Sequence, residues 1–161
     1  MALYWFVLFP ILTGVLAYIL KDKWMGLLMV VFQLFFIGAG FSLFTTVRNS
    51  GQVLWNSVGY PDGLALTLQA DAISAFLVLI TLVIFLFFII YSIGQDYFTS
   101  QFCFMFLVLQ GLMMGLYLSS DLFNMFIFLE VSTVVVSILI MINREKQAVY
   151  DGMIYFFVNV I

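Results

Sequence analysis

One carboxylate in this sequence stands where ionisation costs most. Glu130 lies near the centre of DLFNMFIFLEVSTVVVSILIMI, a run long and apolar enough to cross a bilayer. It follows Asp121 by nine residues, so a helical rise of about 1.5 Å per residue sets it roughly 13 Å deep. In a hydrocarbon core about 30 Å thick that is close to the midplane. An acid kept there is protonated, paired, or faces a hydrated cavity. Thr133 and Ser137, three and seven residues on, fall on the same helical face and make a narrow polar stripe with it, while Ser132 lies on another side and packs. That pattern fits a carboxylate that handles a proton or a small cation; the plainer alternative is a neutral Glu bonded to a neighbour for packing.

The other deep polar groups are amides. Gln33 and Gln110 are expected to hydrogen-bond neighbouring helices, a contact of order 1 kcal/mol in membranes, with Gln110 the nearer of the two to a water path. Asp71 and Asp121 stand instead at the starts of apolar runs, where a carboxylate accepts from free amides, so both are read as structural caps. A titrating Glu130 needs a cation nearby. Arg144 is fourteen residues away, roughly 21 Å along a helix, and the remaining bases flank the apolar runs. The counter-charge must come from another chain or helix.

The elements that position these groups follow from composition. Of 161 residues, 66% are hydrophobic and 8% charged. That apolar excess needs lipid as part of the solvent. Runs at 2–20, 24–44, about 71–93, 102–119 and 121–142 each approach the roughly 20 residues a spanning helix requires. A sixth opens near Gly152 and is still running at Ile161. Long unbroken runs favour helices over the short alternating segments of a barrel. The expectation is an all-α polytopic membrane protein with five complete transmembrane helices and the start of a sixth, in a single domain over 1–161. The N-terminus has no basic residue ahead of its apolar run, which fits an uncleaved first span.

With the N-terminus outside, Lys21, Lys23, Arg144 and Lys146 face inward and only Arg48 outward, as the positive-inside rule prefers. The net charge of −3 is small, and no basic patch suggests nucleic acid. Cys103 is the only cysteine and there is no histidine. A disulfide within the chain is therefore impossible, Cys/His metal and haem ligation lack ligands, and no cofactor is expected. Cys103 is read as a small buried hydrophobe. Residues 45–69 are rich in turn formers, with VLW and LALTL as candidate interfacial or re-entrant pieces and Trp55 and Tyr60 as headgroup-level anchors. Ser119-Ser120-Asp121 must serve as both turn and cap, making the fourth and fifth helices a tight antiparallel hairpin.

DLFNMFIFLEV resembles the fifth-helix signature of the large antiporter-like subunits shared by Mrp-type cation/proton antiporters, membrane-bound hydrogenases and respiratory complex I. Its Asp-Leu-Phe-Asn opening is closer to the D-type Mrp protein and the membrane-bound hydrogenase branch than to complex I proper. YPDGLALTLQADAISAFLVL resembles the entry to that family's third helix, with Asp71 on the acidic position. QAVYDGMIYFFVNVI resembles the start of its sixth helix, with Gly152, Tyr155 and Asn159 on pattern. The resemblance covers the whole chain, which matches about the N-terminal third of such a subunit: three leading helices at 2–93 and the opening of the first antiporter-like repeat at 102–161. Ala72 and Ile154 depart from the pattern, standing for an expected glycine and lysine. The resemblance implies that Glu130 pairs with a lysine on a seventh helix, in a proton path across the bilayer centre, and that the chain works with other membrane subunits. The chain is then a whole or split piece of a subunit moving protons or sodium ions, by antiport or redox-driven pumping, and is not catalytic alone. The alternative is a structural subunit that fills an interface.

Overall fold

The structure, a computed structural model, describes residues 3–20, 25–56, 67–143 and 145–160. Lys21, Lys23, Tyr60 and Arg144 lie outside the described residues, as does the side chain of Trp55. Six helices are described: α1 Trp5–Leu20, α2 Met25–Ser50, α3 Ala72–Ser92, α4 Ser100–Leu118, α5 Leu122–Ile140 and α6 Lys146–Val160. They are all-α membrane-type elements. Helices α2, α3, α4 and α5 with the 3-10 turn that follows it are long and apolar enough to cross a bilayer. The described part of α1 is 16 residues long, about 24 Å at the usual rise, and carries Pro10 in its interior, where the ring removes one backbone donor.

Local chemistry sets the helix starts. Asp71 and Ser74 form a reciprocal capping box at α3: the Ser74 amide donates to Asp71 Oδ1 at 2.7 Å, and the Asp71 amide donates to Ser74 Oγ at 2.8 Å. Thr99 accepts from the Phe102 amide at α4. Asp121 Oδ1 accepts from the Phe123 amide at α5. Only Ser119-Ser120-Asp121 separates α4 from α5, which return side by side.

The turn-rich stretch contains one element of a different kind. Val53–Asn56 (β1) and Thr67–Ala70 (β2) pair antiparallel, with Val53 opposite Ala70 and Asn56 opposite Thr67. The pieces expected as interfacial or re-entrant are thus strands where they are described, because each supplies the backbone partners the other would lack beside lipid. The ribbon is fastened to the α4–α5 turn. The Ser120 amide and hydroxyl both donate to the Thr67 carbonyl, and Leu68 bridges to Ser119.

Packing joins four helices into one bundle. Helix α1 lies on α4 and α2 on α3, and α3 meets α4 where Phe85 and Phe106 approach to 4.6 Å. Phe9, Phe32 and Phe36 stack at 5.2–5.7 Å and tie α1 to α2. Glycines permit the closest approaches: a Cβ at Gly111 would lie 2.7 Å from the Val7 carbonyl oxygen, and one at Gly40 2.7 Å from Leu82. Two apolar clusters result. One includes Phe36, Leu82 and Met114 toward the ribbon end; the other includes Met29, Phe85 and Leu107 toward the opposite end. Outward faces carry large apolar side chains such as Ile73, Phe87 and Phe126, the surface a lipid-facing helix presents.

Candidate functional site

Glu130 and Gln110 share a level. Glu130 is eight residues after Leu122, the first of α5, and Gln110 eight before Leu118, the last of α4. On an antiparallel hairpin both therefore sit about 12 Å from the connecting turn. They do not share an environment. Gln110 is fully buried in the bundle, whereas Glu130 is half-buried on a helix whose only buried side chains are Val135 and Ser137. Phe128, two residues before Glu130, lays its ring against Gly115 and holds this part of α5 on α4.

The polar stripe is present, but its hydroxyls are occupied elsewhere. Thr133 donates to the Glu130 backbone carbonyl at 2.7 Å, and Ser137 donates to the Gly152 carbonyl of α6 at 2.8 Å. Ser132 bonds back to Leu129 at 2.7 Å. In an apolar helix a hydroxyl has no water to turn to, so it takes the nearest carbonyl. Ser137 thus fastens α6 to α5, at a point where Gly152 lets the two backbones meet. The Glu130 carboxylate has neither a hydrogen bond nor an ion pair among the described residues. The described bases, Arg48 and Lys146, stand at the end of α2 and the start of α6.

The amides correct one expectation. Gln33 does bond a neighbouring helix, donating to the Leu82 carbonyl of α3 at 2.9 Å, but its own oxygen has no partner. Gln110 bonds none: both its amide nitrogen and its oxygen are buried and unpartnered among the described residues. The rotation of α4 turns this side chain into the core, beside Leu107 and Met114, where no free donor or acceptor meets it.

Sequence reasoning missed the clefts at the two ends. At the ribbon end a cleft of about 500 Å³ is lined by Gln69, Asp71, Ser119 and Ser120 with Leu77, Met125 and Leu129. It reaches the residue next to Glu130, and Glu130 itself is not in its lining. Asp71 therefore caps α3 and also borders this cleft; the Ser74 hydroxyl and then the Ser74 amide, both donating to it, hold its carboxyl below the ordinary aspartate range. At the opposite end a polar pocket of about 510 Å³ is lined by Gln95, Asp96, Tyr97, Thr99, Asn143 and Glu145 among others. The individual acids and hydroxyls were visible in the sequence, but not the helix ends that gather them. No group of three or more Cys, Asp or Glu suited to hold a metal occurs among the described residues.

No protein-family model matches this sequence, and no curated protein matches it. Among solved structures, a chain from the membrane-bound sulfane sulfur reductase, an archaeal respiratory membrane complex, superposes with a TM-score of 0.87 at 17% identity. The match covers 96% of this chain and 33% of that one. At that identity the likeness is one of fold, and this chain spans one third of the length of its neighbour.

Proposed function

We propose that this chain belongs to a membrane complex that translocates protons or sodium ions, as part of an antiporter-like subunit, with Glu130 the carboxylate of a half-channel. One observation carries the reading: a carboxylate level with the middle of a spanning helix, half-buried, with no partner among the described residues. An ionisable group at that depth is costly, by about 2.5–3.5 kcal/mol on insertion scales, so its counter-charge comes from a neighbouring helix of the complex, a lysine-bearing one in the antiporter-like pattern. The cleft reaching Leu129 supports access from the ribbon end. Gln110 stands at the same level but faces the bundle core, and Thr133 and Ser137 serve by holding the helix backbone and α6 in place. Asp71 and Asp121 serve the fold. The inner face of the cell membrane receives Lys146 and Glu145, and the N-terminus lies outside. The fold shared with the sulfane sulfur reductase chain supports membership of a respiratory membrane complex.

Glu130→Gln in the intact complex tests this. It keeps the shape of the side chain but removes the ionisable carboxyl. Ion transport per assembled complex in proteoliposomes should be lost or strongly reduced, with yield near that of the parent. Normal transport would leave the second reading, a structural subunit, which is favoured by the engagement of Thr133 and Ser137 with backbone carbonyls.

A further inference from the structure

We propose that the layer between the two core clusters binds water, held by the Gln110 amide and the free oxygen of Gln33. The two amides belong to one level. Phe85 of α3 meets Phe106 of α4 at 4.6 Å, and the two helices run antiparallel. Gln110 is four residues from Phe106 and Leu82 three from Phe85, in the same direction along the membrane normal. Gln110 is therefore level with Leu82, whose carbonyl receives the Gln33 amide. Gln33 lies between Met29 of one cluster and Phe36 of the other, and Gln110 between Leu107 and Met114 in the same way. Thr81, also buried, adds a hydroxyl to the level.

Both glutamines are 0% exposed, and three of their polar atoms, Gln33 Oε1, Gln110 Nε2 and Gln110 Oε1, are unpartnered among the described residues. Hydrocarbon supplies no hydrogen bonds, so these atoms are matched inside the bundle or left at full desolvation cost. Their chemistry selects the guest. A cation would satisfy the two oxygens and leave both Gln110 N–H donors idle; an anion would do the reverse. Water donates and accepts, and two to four polar partners are what a buried water needs. This site faces the core and not the half-exposed side of α5 that carries Glu130, so it stands whether or not Glu130 carries ions.

Radiolytic labelling in isotopically labelled water tests it, using the full chain in its native complex. Radicals formed from bound water oxidise adjacent side chains, and Met114 and Met29 are fully buried one helical turn from Gln110 and Gln33. Solvent-derived oxygen is expected on both methionines in the parent protein and in Glu130→Gln. It should be lost from both in the Gln33→Leu/Gln110→Leu double variant, which keeps the core apolar and similar in volume. Absence of label from both methionines in the parent overturns the proposal, as does label that persists undiminished in the double variant.

Discussion

Gly111→Ala probes the contact that seats α4 on α1. The added Cβ would lie 2.7 Å from the Val7 carbonyl oxygen and 2.9 Å from Ile11 Cγ1. The isoleucine side chain is free to turn aside, but the carbonyl is backbone. Helix α1 must retreat by roughly 0.7 Å before that contact reaches the 3.4 Å of ordinary packing. Overpacking of this kind costs about 1–3 kcal/mol. The substitution also replaces a glycine inside a helix, which returns up to about 1 kcal/mol. Gly38 of α2 separates the two effects, because a Cβ there meets nothing within 4 Å. Gly38→Ala should be neutral or mildly stabilising. The difference between the two variants should be about 1–3 kcal/mol, or roughly 5- to 160-fold in the unfolding constant. Reversible unfolding of the purified protein in mixed micelles measures it. Equal stabilities for Gly38→Ala and Gly111→Ala would refute the packing argument. So would full rescue of Gly111→Ala by Ile11→Ala, which leaves the carbonyl where it was.

Gly115→Ala meets the Phe128 ring at 2.5 Å and not a backbone atom, so adding Phe128→Leu should recover most of the lost stability in the same assay. Ser137→Ala removes the bond to Gly152 and should cost about 0.6–2 kcal/mol, read as faster proteolysis within α6 with Glu130 untouched. Asp71 is held below its ordinary value of 3.8, so the folded state favours its charged form. That contribution is complete above the unfolded pKa and is lost as pH falls through the folded one. Asp71→Asn should therefore flatten the dependence of Tm on pH below about 4; an unchanged acid limb would show that the capping box does not titrate. Asp121→Ala should lower stability by about 0.5–2 kcal/mol, with transport falling only as the amount of folded complex falls.

The spanning helices were legible because lipid imposes length: a run of about 20 apolar residues has few other solutions. The tight α4–α5 return was legible too, since Ser119-Ser120-Asp121 leaves no room for anything longer. The β-ribbon was not. Its strands are four residues each and ten residues apart, and pairing across such a gap depends on where α2 ends and α3 begins. The idle amide of Gln110 was hidden for a different reason. Whether a glutamine finds a neighbour depends on the rotation of its helix, and α4 has apolar residues on every side. The hydroxyls of Thr133 and Ser137 were placed on the correct face by periodicity alone, yet periodicity says nothing of which acceptor a hydroxyl takes. The two clefts needed the ends of non-consecutive helices together.

The fastening of the ribbon to the α4–α5 turn fixes an altitude. Sliding of the α4–α5 hairpin along the membrane normal is opposed by the close packing at Gly111 and Gly115, and the ribbon adds a polar restraint to it. Each step of one turn would carry Glu130 up or down by about 5.4 Å. The Thr67 carbonyl, gripped by both the amide and the hydroxyl of Ser120, makes any such slide break polar contacts at the membrane surface. The ribbon thereby acts as a datum from which the depth of the carboxylate is measured. Loosening it with Ser120→Gly would blur the height of Glu130 while leaving every residue around that carboxylate unchanged.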